Sequence, residues 1–159
     1  MAGAVIAALS ISGAAFAAPA SVDVTVGPEL QKKAADDYGV REVNDLARDL
    51  QSTISHRLAK SAAYEGARIE LTLVDAKPNR PTMQQMGATT GLSMRSFGIG
   101  GAEIAGRAIA PDGTVTPISY KWYETDIRQA RTRSTWGDAQ TAFERVAFRL
   151  AKGQVVAMR

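Results

Sequence analysis

The sequence predicts an α+β domain in which a small, mostly antiparallel four-stranded sheet carries two amphipathic helices on one face. Three observations predict it. Three stretches alternate apolar and polar residues with the period of a half-buried strand. Two longer stretches repeat their apolar residues with the period of a helix, and Pro111-Asp112-Gly113 joins two of the strands as a hairpin. No repeat and no second domain interrupts the order, so residues 18–159 are expected to form a single domain with an ordered core over about 21–152.

The first strand is "SVDVTV", where Val22, Val24 and Val26 alternate with Ser21, Asp23 and Thr25 before Gly27-Pro28 ends the run. Residues 28–40 are polar and read as a turn-like or short helical connection. From Arg41 the period changes: Val43, Leu46, Ala47, Leu50, Ile54 and Leu58 form one stripe, with Arg41, Asp45, Arg48, Asp49 and Lys60 mostly outside it. This predicts a helix over 41–60, stopped near Gly66. In "RIELTLVD" Ile69, Leu71 and Leu73 oppose Glu70 and Thr72, a second strand ending at Asp75. Residues 76–100 contain two prolines, several glycines and no sustained period; a loop of that length is usually functional or disordered.

The hairpin arms "AEIAGRAIA" and "TVTPISYKWYETDI" follow, with Ile118, Tyr120 and Trp122 on one face. Pro117 cannot donate to a ladder, which assigns its strand to an edge or a bulge. In the last segment Trp136, Ala139, Phe143, Val146, Ala147 and Leu150 line a helical stripe. Thr135 is its expected cap, Asp138 favours the positive end of its dipole, and Gly153 stops it.

The N-terminal run "MAGAVIAALSISGAAFAAPA" has no charged side chain and contains Ala15-Phe16-Ala17, the pattern of a signal-peptide cleavage site. Residues 1–17 are therefore expected to be a secretory signal peptide, with a periplasmic or secreted bacterial product. The run is rich in Ala, Gly and Ser and no basic stop signal follows it, so no transmembrane anchor is expected after cleavage. The 159 residues include no cysteine, which removes lipoprotein anchoring, thiol catalysis and thiolate metal sites.

Taken together, "GARIELTLVDAKPNRPT", "GGAEIAGRAIAPDG", "YKWYETDI" and the aromatic-rich terminal helix resemble the layout of small uncharacterised bacterial envelope proteins classed as domains of unknown function. More distantly, the order of elements resembles the small α/β modules of periplasmic lipoproteins related to the TolB N-terminal domain. The resemblance spans most of residues 22–152 and implies an envelope protein; it supplies no catalytic residue.

The stretch "RSFGIGGAEIAG" looks at first like a phosphate loop. A phosphate loop requires its glycines to follow a strand and open a helix. Here Gly98, Gly100 and Gly101 follow an irregular segment and lead into a strand, and Glu103 stands where the last glycine belongs. The expected role is structural: Gly101, Ala102, Ala105 and Gly106 let a helix approach the sheet, and Gly98–Gly101 form the flexible end of the loop, with a hinge as the alternative.

His56 is the sole histidine and lies off its helical stripe, so neither a metal site nor a Ser-His-Asp triad is expected, and no cofactor is implied. Arg128, Arg131 and Arg133 form a basic cluster in the loop before the terminal helix, whose Arg145 and Arg149 are spaced i, i+4, in a chain of net charge +3 and pI near 9.4. An anionic envelope polymer or an envelope protein is the matching partner, with a solvated face as the alternative. Nucleic acid is not expected for an exported chain. Loop 77–100, with Asp75 and Arg80 at its start and Gly98, Gly100 and Gly101 at its end, completes the candidate binding residues. The expected function is binding rather than catalysis. The alternative is a hydrolase of envelope polysaccharide or peptide using Asp75, Glu103 or Glu124, if these share a cleft. Ion pairing of those carboxylates with Arg80, Arg95 or Arg107 is the simpler expectation. Met83, Met86, Met94, Tyr123 and Phe148 are further candidates for an adaptable protein-binding surface.

Overall fold

The computed structural model describes residues 18–154. The expected signal peptide, residues 1–17, lies outside the described residues. The chain forms β1 (Ser21–Val26), α1 (Pro28–Lys33) continuing into a π-helical turn (Ala34–Tyr38), α2 (Val40–Leu58), β2 (Arg68–Lys77) and α3 (Met83–Ala88). It continues through β3 (Gly101–Ile109), β4 (Val115–Tyr123), α4 (Ile127–Ala130) and α5 (Gly137–Ala151).

One sheet has the order β1-β2-β3-β4. The pairs β2–β3 and β3–β4 are antiparallel and β1–β2 is parallel, so the sheet is mixed and mostly antiparallel. The parallel pair follows from its connection: α1 and α2 supply the long crossover that parallel neighbours require. The hairpin forms at the expected turn, where Gly113 has φ +87° and the Asp112 carboxylate accepts the Thr114 N–H at 2.9 Å. β4 is an edge strand, which accommodates Pro117.

The described residues form more helices than the two expected. α3 and α4 are too short to show an apolar period and are held by their caps instead. Thr82 and Gln85 form a reciprocal capping box for α3, and the Asp126 side chain accepts the Arg128 N–H ahead of α4. Thr135 does not cap α5. Trp136 occupies that position with no side-chain bond, and the Thr135 carbonyl accepts the Asn79 N–H at 2.7 Å. Gly66 is left-handed, but it precedes β2 rather than closing α2, which ends at Leu58.

The six stripe residues of α2 are buried together with Phe143, Val146 and Leu150 of α5 and the inward residues of the strands, in one continuous core. Each large apolar side chain there contributes about 1.5–3 kcal/mol of burial. On the opposite face Glu70 pairs with Arg107 at 2.8 Å and Glu103 with Lys121 at 2.9 Å. A register shift between Leu73 and Asp75 places one extra residue in β2. Because side chains alternate, that bulge turns Asp75 to the outer face and brings Ala76, which is fully buried, inward.

Gly106 lies opposite Leu71 in the β2–β3 pairing. A Cβ on Gly106 would collide with the Glu70 carbonyl and come within 2.8 Å of the Leu71 Cα. The glycines therefore admit a close approach of neighbouring strands, whereas the sequence suggested the approach of a helix.

The two sheet edges differ. The Gln51 and Gln31 side chains donate to the outward carbonyls of Val22 and Val26 at 2.7 and 2.9 Å, which caps β1. Among the described residues, no side chain bonds to the backbone of β4.

Candidate functional site

The long segment after β2 is clasped to the segment before α5. Asn79 and Asp138 are the centre of the clasp, 1% and 0% exposed. The Asn79 Nδ2 donates to the Asp138 Oδ2 at 2.6 Å and to the Gly98 carbonyl at 3.0 Å, while its Oδ1 accepts the Asp138 N–H at 2.8 Å. The Gly100 N–H reaches the same Asp138 Oδ2 at 3.0 Å. The Arg133 Nε lies 3.0 Å from Oδ1, an ion pair rather than a directed hydrogen bond. Arg80 adds three bonds to carbonyls, those of Arg131, Arg133 and Met94, so it pins the loop through backbone rather than through a carboxylate. A Cβ on Gly100 would stand 2.6 Å from the Lys77 carbonyl, which explains a glycine at this seam; Gly98 and Gly101 flank it.

The three candidate carboxylates lie at one end of the sheet. Asp75 is opposite Glu103, and the Glu124 N–H bonds to the Gly100 carbonyl. Each is nevertheless engaged. Asp75 accepts from Lys33 Nζ at 2.7 Å and from the Tyr123 hydroxyl at 2.6 Å, Glu103 pairs with Lys121, and Glu124 accepts the N–H groups of Thr125 and Asp126.

Burial pushes the Asp75 carboxyl up, but the Lys33 and Tyr123 bonds outweigh it and hold the group below the usual carboxylate range. Burial, followed by the bond to Asp75, drives the Tyr123 phenol well above its ordinary value. A depressed folded-state value means that this contribution to stability is complete above about pH 4–5 and is lost as pH falls through the folded value. The raised phenol contributes below about pH 10, and that contribution is lost at higher pH. Urea midpoints measured from pH 2 to 7 are expected to show a shallower acid decline for Asp75→Asn than for the parent; parallel profiles would contradict this.

An open groove of about 1130 Å³ runs between β4 and α5. It is lined by residues 119–122 of β4, 132–134 of the clasped segment, the outer side of α5 and Arg57 of α2. Three of its cations are already paired: Arg57 with Glu144 at 3.0 Å, Lys121 with Glu103, and Arg133 with Asp138. Two are not. The Arg145 guanidinium lies over the Trp122 ring, 4.1 Å from its centre, and that of Arg149 over Tyr120 at 5.3 Å. Among the described residues neither has a carboxylate within ion-pair distance. Stacking on an aromatic face restrains a guanidinium and leaves its N–H edge directed at solvent, which suits bidentate recognition of an anion.

The predicted arginines are thus not brought together as one patch. Arg133 joins Arg145 and Arg149 in the groove, whereas Arg128, which does not line it, is held by three side-chain bonds to Asp126. Arg131 is exposed outside the groove, with its carbonyl taken by Arg80. His56 is exposed, and no cluster of three metal-ligating side chains occurs among the described residues. Met83, Met94 and Phe97 are exposed on the long segment; Phe148, 49% exposed, lies in the groove beneath Lys152. Trp122 and Tyr120 are the site residues that sequence reasoning placed only in a strand face. Their alternation was readable, but their stacking under α5 was not.

The fold and the groove define a small α+β domain with a basic, aromatic-backed groove at a sheet edge that no side chain caps among the described residues. Comparisons with protein families, with characterised proteins and with solved structures find no match for this chain.

Proposed function

We propose that this protein is an exported, non-enzymatic binding module of the bacterial cell envelope, and that it holds an anionic chain in the groove between β4 and α5. The observation that carries the reading is the pair Arg145 and Arg149, aligned one helical turn apart, stacked on Trp122 and Tyr120, and unpaired. A cation already paired with a carboxylate attracts an anion only weakly; these two are restrained and, among the described residues, carry no such partner. In this reading α2 and α5 cover one face of the sheet, and α5 carries the ligand-facing arginines. The N-terminal signal-like run supports export to the periplasm or beyond. A hydrolase built on Asp75, Glu103 or Glu124 has less support, because each carboxylate is engaged and none lines the groove.

Binding of alginate, polyphosphate and polyglutamate, measured by fluorescence anisotropy, tests the reading. Arg145→Ala and Arg149→Ala are each expected to weaken the preferred polymer about 5–10-fold, as for loss of a charge-assisted contact of about 1–1.5 kcal/mol. Arg128→Ala is expected to change it less than about twofold, and raised salt to weaken binding throughout. Binding that ignores Arg145 and Arg149 would remove the groove from the function.

A further inference from the structure

Resting on that reading, we infer that the ligand is an extended acidic polypeptide segment, which adds to β4 as a fifth strand and lays alternate carboxylates on Arg145 and Arg149. The β3–β4 register carries the first part of the argument. The Glu124 N–H bonds to the Gly100 carbonyl and the Ala110 N–H to the Thr114 carbonyl. In an antiparallel pair, such bonded positions recur at every second residue. Between these two ends the register pairs Ala102 with Trp122, Ile104 with Tyr120 and Gly106 with Ile118. Trp122, Tyr120 and Ile118 therefore turn their backbone groups toward β3, and Ser119, Lys121 and Tyr123 turn theirs outward.

That outward row borders the groove, since Ser119 and Lys121 line it. Among the described residues nothing bonds to it, while the opposite edge is capped by Gln31 and Gln51. Pro117, lacking an N–H, ends the ladder on one side. An added strand meets these amides with its own and projects every second side chain to one face, about 7 Å apart. The Cβ atoms of Arg145 and Arg149 are about 5–6 Å apart along the helix. An acidic-x-acidic repeat matches both spacings.

Charge selects the occupant. A second copy pairing through β4 would bring Lys121, Arg145 and Arg149 against their own counterparts, whereas an acidic chain complements them. An anionic polysaccharide satisfies the arginines but has no regular row of amides for Ser119 and Lys121.

The test uses the whole protein and a fluorescein-labelled eight-residue peptide of alternating Glu and Thr. Its comparators are two versions N-methylated on one or the other set of alternate amides, and a uronic acid oligomer of equal charge. The unmodified peptide is expected to bind at least 10-fold more tightly than the version methylated on the edge-facing set and than the oligomer. Arg145→Ala with Arg149→Ala is expected to abolish that preference, and Ser119→Pro to weaken the peptide at least 5-fold with unchanged circular dichroism. Should Ser119→Pro unfold the chain, the methylated pair decides alone. Equal binding of all three peptides overturns the fifth strand, as does an oligomer bound as tightly as the unmodified peptide or dimerisation through β4. Oligomer binding that depends on Arg145 and Arg149 would leave the anionic groove standing; no binding of any anionic probe would overturn both.

Discussion

Replacing Asp138 by alanine is expected to destabilise the protein by about 3–5 kcal/mol, the usual consequence of removing one member of a buried ion pair. In a domain of this size that lowers the melting temperature by roughly 10–20 °C. The cause is the number of groups that one carboxylate serves. Its loss leaves the buried Asn79 amide and Gly100 N–H without their common acceptor and removes the partner of the part-exposed Arg133 guanidinium. Asp138→Asn retains the shape and one acceptor oxygen but not the charge, and a smaller loss is expected. Thermal unfolding followed by circular dichroism measures both variants. Limited proteolysis is expected to cut first between residues 78 and 100, because Asn79, Arg80, Gly98 and Gly100 are the points at which that segment is fastened. A loss under about 1 kcal/mol for Asp138→Ala would mean that the clasp is not a main support of the fold.

Gly106→Ala is the second large effect, with at least about 3 kcal/mol expected from forced separation of β2 and β3. The position is in the middle of a central strand, and the new methyl meets backbone, which cannot swing aside as a side chain does. Gly113→Ala separates space from conformation. Gly113 has a left-handed φ of +87° and open space around it, so its variant pays conformational strain alone, about 1–2 kcal/mol. Urea unfolding is expected to show a lower midpoint at an unchanged slope for both, with the larger shift at Gly106. Equal shifts would contradict the packing argument.

Much of the architecture was legible in local pattern. The stripe from Val43 to Leu58 becomes the buried face of α2, the alternation in Ile69, Leu71 and Leu73 becomes the inner face of β2, and the Pro111-Asp112-Gly113 turn closes the hairpin. Pro117 indicated an edge strand or a bulge, and β4 is an edge strand. α3 was missed although Thr82 and Gln85 carry the capping-box spacing, because six residues show no measurable apolar period. Asp138 was recognised near a helix start and assigned only a favourable place on the helix dipole; its burial depends on Asn79, 59 residues away. The site was legible only in part. Arg145 and Arg149 stood out by their spacing, but Arg128 is neutralised by Asp126 only because the chain turns between them.

The sequence alone determined which residues each element buries, where the hairpin turns and which residue types are present for chemistry, because periodicity and turn preference act over a few neighbouring residues. Only the tertiary structure decided that β1 joins parallel to β2, that a bulge rotates Asp75 outward to Lys33 and Tyr123, and that α5 lays Arg145 over Trp122. Those outcomes are contacts between distant segments, set by how a whole core packs. Charge availability, which separates Arg145 and Arg149 from their neutralised neighbours, is a property of such contacts and not of any residue by itself.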